Sequence, residues 1–406
     1  MRSFWIAALV AMTHVAAAQS PSFPQIERGR YLATVGDCVA CHTAKGGVDF
    51  AGGLGLKTPF GTIYSPNLTP APKTGLGLWT ADDLWHALHD GHDRAGSDLY
   101  PAMPYVWTTL TTRADSDDIF AYLQTLAPVE RAKPANDLIP PLNLRFSITG
   151  WNALFFKPQP FTPDPKHGVT WNRGAYLVTG LGHCGACHTK MDLLSAPETG
   201  HALEGNTLDG WYAPNITNAA ATGLGDWKIA EITAYLQTGR NERAIAAGPM
   251  AEVVMRSTQF MTPGDLVAIA TYLKSQPGTG GAATASVMDA KQHSAGQAIY
   301  IDNCAACHGA QGKGQAELIP SLPGNGVVNG ADPSGVLHVI LQGAMANHTR
   351  QAPTDPGMPA FGWKLSNAQV AALASYIRSS WGNQASIVES GVVADMRSSL
   401  DGSASK

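Results

Sequence analysis

The chain has 406 residues, which is enough for about three ordinary domains. Its 27 lysines and arginines are nearly balanced by 31 aspartates and glutamates, which leaves a formal net charge of -4. No basic stretch accompanies this balance, so the composition excludes a protein that binds the phosphate backbone of nucleic acids.

The first residues have the composition of an export signal. Arg2 supplies a positive charge, an apolar run follows from Phe4 to Val15, and the small residues Ala16 to Ala18 end the segment. This order predicts a signal peptide over 1–18. A membrane anchor is the alternative, but Thr13 and His14 interrupt the run and leave it short of the ~20 apolar residues that span a bilayer. We therefore expect an exported protein.

All six cysteines occur in three copies of one motif, C-x-x-C-H: Cys38, Cys41 and His42; Cys184, Cys187 and His188; Cys304, Cys307 and His308. In an exported chain, cysteines ordinarily predict disulfides. Residues three apart, however, share one face of a helical turn, so two thiols can reach the two vinyl groups of one porphyrin. The adjacent histidine then lies beneath the iron as its proximal ligand. The motifs predict three covalently bound haem c groups, in preference to a thioredoxin-like dithiol or half of a zinc site.

The first two motifs lie in a repeated block, which predicts two homologous domains. Three segments recur in both copies: Arg28 to Leu32 and Arg173 to Leu177, YSPNLT at 64–69 and YAPNIT at 212–217, and TGLGLW at 74–79 and TGLGDW at 222–227. We expect these domains over 24–128 and 166–276, and a third domain around the last motif over 291–382.

Methionine or a second histidine is the usual sixth ligand of a c-type iron, and methionine raises the reduction potential. The repeat selects Met103 and Met250, which lie 61 and 62 residues after the preceding motif histidine. Met358, 50 residues after the third motif histidine, is the remaining candidate. Each of these methionines would otherwise be a packed core side chain. The competing ligands are Met255 and Met261 for the second iron and four histidines that we interpret as surface residues, His86, His89, His92 and His348.

A helix is predicted after each candidate methionine, over Asp117–Leu126, Pro263–Lys274 and Asn367–Ser380. Thr262, and Ser366 with Gln369, have the pattern of helix starts. Each of these helices should pack against the first helix of its own domain. The predicted fold class is all-α: three consecutive cytochrome c-type haem domains joined by linkers. Four residues recur in both repeats and are expected to bond haem propionates or to order the loops, with core packing as the alternative for the tryptophans: Asn67, Asn215, Trp79 and Trp227.

Two linkers of different composition separate the domains. The segment 129–165 is rich in proline around an apolar patch, Trp151 to Phe156, and is predicted to be extended and packed over its neighbours. The segment 277–290 contains a run of glycine, alanine and threonine and is predicted to be flexible, which would leave the third domain somewhat apart. The tail, 383–406, is predicted to be disordered. A weak amphipathic anchor is the alternative for the tail, through Ile387, Val388, Val392, Val393 and Met396.

With its three motifs, the doubled YxPN(I/L)T and TGLGxW blocks, YPAMPY and GPMAEVV, the chain resembles the triheme cytochrome c subunit of bacterial membrane-bound dehydrogenases. The resemblance runs from about Gln25 to Trp381. Members of this family belong to complexes that oxidise alcohols, gluconate, sorbitol or fructose. It implies a catalytic flavoprotein or quinoprotein partner, with or without a small third subunit. It also implies peripheral attachment on the periplasmic side of the inner membrane, and electron flow from FAD or pyrroloquinoline quinone through three haems to ubiquinone.

The same resemblance places the six cysteines, the three histidines and Met103, Met250 and Met358 at the haem sites of that family. One departure is the C-terminus, which is not clearly apolar and leaves the mode of membrane attachment open.

The residues themselves favour an electron relay over a catalyst. No G-x-G-x-x-G lies between a strand and a helix, so no flavin or nicotinamide site is predicted, and we interpret Gly309, Gly312 and Gly314 as a loop of the third haem site. The chain is therefore expected to have no substrate-oxidising site of its own. A haem peroxidase would need an open sixth position, whereas each motif has a candidate methionine. A free periplasmic electron carrier and an oxidase-linked cytochrome stay open as alternatives.

Overall fold

The structure is a computed structural model that describes residues 20–280, 288–346 and 348–404. The predicted signal peptide and the centre of the second linker, 281–287, lie outside these ranges. The described chain is mostly helical, as predicted, and it also contains short β-hairpins that the sequence did not indicate. None of the helices in the described ranges combines the length and the hydropathy that a membrane crossing requires.

The first part of the chain is a helical unit with one hairpin. Its elements are α1 (Phe23–Val35), α2 (Cys38–Cys41), β1 (Gly55–Thr58), β2 (Gly61–Tyr64), α3 (Ala81–His89), α4 (Tyr105–Thr108) and α5 (Arg113–Leu123). Thr112 starts α5, because its hydroxyl accepts a hydrogen bond from the Asp115 amide at 3.2 Å. Helices α1 and α5 cross in contact, and a Cβ added at Gly29 would lie 1.8 Å from the Asp118 carbonyl oxygen. Only glycine permits this crossing.

The segment predicted as an extended linker contains regular structure. Strand β3 (Asp137–Leu138) adds to the free edge of β2, and α6 (Phe146–Phe155) follows. The helix forms because the prolines cluster before 142 and after 157, so they flank the run between those positions without interrupting it. The apolar patch predicted from Trp151 to Phe156 therefore lies mostly in the second half of α6.

The second part repeats the first with one local change. Its elements are α7 (Val169–Tyr176), α8 (Gly185–His188), β4 (Asn206–Leu208), β5 (Trp211–Ala213), α9 (Ile229–Thr238), α10 (Gly248–Arg256) and α11 (Pro263–Ser275). A π-helical turn over Leu177–Leu181 continues α7 toward the second motif. This turn absorbs the one extra residue that separates Gly174 from Cys184, compared with Gly29 and Cys38. A Cβ at Gly174 would lie 2.0 Å from the Ala268 carbonyl oxygen, so the helix crossing also recurs.

Reciprocal hydrogen bonds join the first two parts. The Tyr31 hydroxyl of α1 donates to Asp265 of α11 at 2.6 Å, and the Tyr176 hydroxyl of α7 donates to Asp115 of α5 at 2.5 Å. Each aspartate also pairs with an arginine of its own part, because Arg173 donates to Asp265 and Arg28 to Asp115. One apolar cluster contains buried side chains from both parts, including Leu32, Leu177, Leu181 and Leu266. The repeated R-G-x-Y segments therefore hold each part together and join it to the other.

The third part has its own core. Its elements are α12 (Ala290–Asn303), α13 (Ala305–His308), α14 (Gly326–Asn329), α15 (Ser334–Gln342), β6 (Ala344–Met345), β7 (Gly357–Met358) and α16 (Asn367–Ser379). A Cβ at Gly296 would lie 2.3 Å from the Ala372 carbonyl oxygen, so the first and last helices cross here as in the other two parts. The predicted helix starts at Thr262 and at Ser366 with Gln369 are confirmed.

The third part packs against the second, contrary to the expectation that it lies apart. The rings of Trp211 and His338 stack with their centroids 3.9 Å apart. Thr207 donates a hydrogen bond to Asp332 at 2.8 Å, and Arg240 donates to the Thr354 carbonyl oxygen at 2.6 Å. The β4–β5 hairpin supplies two of these contacts, and its role is not visible in the composition of the linker.

The tail forms helix α17 (Ser390–Ala404), so the prediction of disorder is wrong for the described residues. Val393, Met396 and Leu400 are buried against the third core and follow the i, i+3, i+7 spacing of a helix stripe. Val388 is buried there as well, so the side chains assigned to a possible anchor largely face the protein. The fully buried Arg378 donates to the carbonyl oxygens of Ser386 and Val328, which ties the tail to the core.

Candidate haem sites

Each C-x-x-C-H motif lies on a single helical turn at the end of the first helix of its part. The turns are α2, α8 and α13, and all six cysteines are free thiols. Burial raises the pKa of Cys38 and Cys184 to about 12 and that of Cys304 to about 11. These thiols therefore stay protonated at neutral pH, unlike the activated thiolate of a dithiol redox enzyme. Two thiols on one turn fit the thioether attachment of a haem c.

The three motif histidines share one hydrogen bond. The Nδ1 atoms of His42, His188 and His308 lie 2.8, 2.7 and 3.3 Å from the carbonyl oxygens of Pro66, Pro214 and Pro320. A carbonyl oxygen only accepts, so Nδ1 carries the proton and Nε2 keeps the lone pair that binds iron.

Burial lowers the pKa of all three imidazoles and outweighs the opposite effect of the carbonyl. The rings are thus neutral, as ligation of iron requires. The donor set of each motif fits a haem c with histidine as the proximal ligand.

The repeated loop motifs position the proline carbonyls. The Asn67 side-chain oxygen accepts hydrogen bonds from the amide and hydroxyl of Thr69, and its NH2 donates to Thr74 and to the Val129 carbonyl oxygen. The corresponding bonds in the second part join Asn215 to Thr217, Thr222 and Thr279. Of the two roles predicted for these asparagines, the structure shows loop ordering. The sequence did not identify the proline carbonyls as partners, although the proline stands in both blocks.

The two tryptophans of the repeat make packing contacts. Trp79 lies against the apolar cluster of the first two parts. Trp227 meets Tyr235 edge to face, with the ring centroids 5.8 Å apart.

The candidate methionines are half-buried in apolar surroundings. Met103 packs against the cluster of the first two parts together with Cys38, and Met358 packs against the third core, which contains Cys304. Met250 lies on the first turn of α10 in a smaller cluster with Val254 and Tyr235. Of its competitors, Met261 is a buried member of the first cluster. Their ligation stays a prediction.

The four competing histidines all pair with carboxylates. His86 and His89 contact Asp90, His92 contacts Asp98, and His348 contacts Asp355.

The first two sites adjoin each other. Asp37 and His183 directly precede the first cysteine of their motifs, and both have positive φ, 49° and 35°. His183 Nε2 lies 3.1 Å from the Gly36 carbonyl oxygen across the boundary of the two parts. An ionised Cys187 thiol would further raise the pKa of Cys41, because the two thiols are close enough to interact electrostatically.

Asp37 is a half-buried residue at this junction, with a buried Oδ1 atom, that sequence reasoning missed. Its Oδ1 atom has no hydrogen-bond partner among the described residues. Burial raises its pKa to about 8, Glu252 adds to the shift, and Arg256 opposes it. Its place beside a haem motif was the only signal in the sequence.

A groove of about 640 Å³ lies between the second and third parts. Met358 and Met345 line it from the third part, and Trp211, Gly248 and Ala251 line it from the second. The helix that carries Met250 and the hairpin that carries Met358 therefore border the same space.

Known cytochromes c are similar to this chain over most of its length. The cytochrome c family model matches residues 26–127 and 293–381. The gluconate 2-dehydrogenase cytochrome c subunit of Pantoea cypripedii is 39% identical over 89% of this chain and 86% of its own length. The cytochrome c subunit of the quinone-type alcohol dehydrogenase of Gluconacetobacter polyoxogenes is 37% identical over 94% of this chain and 86% of its own. The fructose dehydrogenase cytochrome subunit of Gluconobacter japonicus is 36% identical over 92% of this chain and 83% of its own length.

The motifs and the family match define a c-type cytochrome, whose function is electron transfer. Within that class, similarity over nearly the whole chain narrows the assignment. The chain belongs to the family of cytochrome c subunits of bacterial dehydrogenases.

Proposed function

We propose that this chain is the three-haem electron-transfer subunit of a dehydrogenase complex on the periplasmic side of the inner membrane. It passes electrons from the FAD or pyrroloquinoline quinone of a catalytic subunit to ubiquinone. The observation that carries the proposal is the shared histidine–proline hydrogen bond, which prepares one ring nitrogen for iron in each of the three motifs. The near full-length similarity to dehydrogenase subunits supports the choice of partner.

The proposed ligands follow the predictions from sequence. One cysteine pair would attach each haem c, and the residues that would hold the iron are His42 with Met103, His188 with Met250, and His308 with Met358. The haem domains correspond to 24–128, 166–276 and 291–382.

The protein contributes placement and tuning. A haem c bound at each site supplies a one-electron redox centre. The Tyr–Asp hydrogen bonds between α1 and α11 and between α7 and α5 fix the distance between the first two sites. Stacking of Trp211 on His338 fixes the third part against the second. Fixed distances between sites permit rapid electron transfer without motion of whole domains.

Purification of the complex from membranes, with no tag on the partners, tests this function. We expect a stoichiometric flavoprotein or quinoprotein to accompany the chain and to reduce ubiquinone when an alcohol or sugar substrate is added. A chain with Cys304→Ala and Cys307→Ala should still assemble but should support much slower quinone reduction. A lone haem protein in the soluble fraction, with no dehydrogenase bound, would contradict the proposal.

A further inference from the structure

Helix α6 presents an uncharged face to solvent. Its ten residues, 146–155, include no Asp, Glu, Lys or Arg. The inner side is fixed to the first part, because Ile148 is buried and Asn152 accepts a hydrogen bond from the Tyr105 hydroxyl at 2.6 Å. The exposed positions are Phe146, Thr149, Gly150, Ala153 and Leu154. Phe146 is 69% exposed and Leu154 is 76% exposed, which is unusual for large apolar side chains on a rigidly held helix.

A second apolar element lies beside this helix. Leu193 and Leu194 form the tip of a tight turn and are 96% and 52% exposed. The Trp151 indole donates a hydrogen bond to the Leu194 carbonyl oxygen at 2.9 Å, which holds the turn against α6. The Asp192 carboxylate accepts from the amides of Leu194 and Ala196, so the turn is internally fixed. We call α6 and this turn the apolar platform.

The charges near the platform are arranged asymmetrically. The Asp98 side chain is mostly buried and accepts hydrogen bonds from Thr149 and Asn152. The exposed cations are Arg145 before the helix, Lys157 after it, and Lys190 near the turn, where Lys190 pairs with Glu198 at 3.2 Å. Lys157 makes no ion pair with any residue in the described ranges. Exposed positive charge thus lies at both ends of α6, whereas the nearby carboxylates of Asp98, Asp192 and Glu198 are engaged in hydrogen bonds or an ion pair.

We propose that the apolar platform docks on the surface of an anionic lipid bilayer. This inference rests on the proposed function, in which the chain works at the membrane. A leucine that protrudes almost completely from a turn tip enters acyl chains readily, because fluid lipid needs no preformed pocket. Trp151 contacts the turn, and Arg145 and Lys157 stand at the two ends of α6, which suits binding at the level of anionic headgroups. A protein partner would instead need a complementary cavity for Leu193.

The test uses the purified haem-loaded chain and sedimentation with vesicles of phosphatidylcholine and phosphatidylglycerol. Two double variants remove the platform, Leu193→Ser with Leu194→Ser, and Phe146→Ser with Leu154→Ser. Trp363→Ser is the matched control, because Trp363 is 83% exposed and lies in the third part. We expect each double variant to lower the vesicle partition coefficient roughly tenfold, and the control to leave it unchanged. Haem content and helicity, measured on every variant, verify that the proteins are folded.

Two results would overturn the inference. In the first, the double variants sediment with vesicles as well as the unchanged chain, so another surface binds lipid. In the second, the unchanged chain does not sediment with vesicles, and the double variants lose the catalytic subunit on purification. The platform would then be a protein interface. Quinone reduction by the unchanged complex in detergent, which needs no bilayer, tests the proposed function separately.

Discussion

At the scale of single residues, the hydrogen bond from each motif histidine to a proline carbonyl orients the ring and leaves the lone pair on Nε2. The C-x-x-C-H motif identifies each histidine from sequence alone, because the histidine directly follows the second cysteine. The partner carbonyl could not be predicted in the same way, since it lies 24, 26 and 12 residues further along in the three sites. The repeat held a hint, because Pro66 and Pro214 stand in equivalent blocks, but only the folded loop shows which atom faces the ring.

The sixth ligands can be tested one at a time. Replacing Met358 with histidine should lower the midpoint potential of one haem by ~100 mV, since thioether ligation raises the potential of a c-type iron. Potentiometric titration monitored by visible absorption measures this change. Met345→Leu is the control, because Met345 lies opposite Gly357 on the same hairpin and is 63% exposed. An unchanged midpoint potential in the Met358→His variant would show that Met358 does not bind the iron.

Asp37 should couple the potentials of the first two haems to pH. Its raised pKa of about 8 means that the carboxyl ionises between about pH 7 and 9, and the negative charge then stabilises the oxidised, more positive irons. The midpoint potentials should therefore fall as pH rises, by no more than ~59 mV per unit for one proton and one electron.

Asp37→Asn should flatten the pH dependence of these potentials. Asp49→Asn, which removes a more exposed carboxylate 3.6 Å from Arg256, should leave it intact. An identical slope in Asp37→Asn and the unchanged protein would argue that another group titrates.

At the scale of elements, the sequence predicted the long helices better than the short ones. Helix α11 begins at Pro263 as predicted, because a threonine cap and an i, i+3, i+7 stripe mark it. Helix α5 begins at Arg113, four residues before the prediction, because the cap at Thr112 was overlooked. The tail helix was missed because its apolar residues are few, and their burial depends on a core formed far away in sequence. The hairpins were missed because their strands have two to four residues.

The close helix crossing explains why each part has a glycine at the contact point, Gly29, Gly174 or Gly296. Gly174→Ala should destabilise the chain by about 3 kcal/mol, because the new methyl group would overlap the Ala268 carbonyl oxygen at 2.0 Å. Denaturant unfolding measures this loss. The control is Gly150→Ala on α6, where nothing lies within 4 Å of the added Cβ. That change should stabilise by ~0.5–1 kcal/mol, since alanine is the better helix former. Equal stabilities of the two variants would contradict the close crossing.

At the scale of the whole molecule, the contacts between parts were beyond sequence reasoning. The bond from Tyr31 to Asp265 joins residues 234 positions apart, and neither residue reveals its partner by spacing. The repeat predicted that the first two domains are alike, but likeness alone does not say that they pair. The glycine-rich composition of the second linker suggested a separate third domain, whereas stacking and hydrogen bonds hold that domain against the second.

The joint between the first two parts should weaken in acid. Burial favours a higher pKa for Asp265, but hydrogen bonds from Arg173 and Tyr31 outweigh it and lower the pKa below its usual value. The carboxylate therefore contributes stability that is complete above the usual pKa of an aspartate and is lost as pH falls through the lowered pKa. Asp265→Asn should cost about 2 kcal/mol at neutral pH and should reduce the acid dependence of unfolding.

Denaturant midpoints measured across the acid range check this prediction. Asp117→Asn is the matched control, because its pair with Arg113 is solvent-exposed and contributes little. Equal effects of the two substitutions would show that the joint is not stabilised as described.

The number of haems that the chain binds is tested most directly by the intact mass of the protein matured in a host that attaches haem c. The matured protein should have the mass of the chain without residues 1–18 plus three haems, and should lose one haem for each cysteine pair replaced by alanine, at 38 and 41, 184 and 187, or 304 and 307. A fully matured chain that carries fewer than three haems would contradict this prediction. So would a variant that keeps all its haem after one pair is removed.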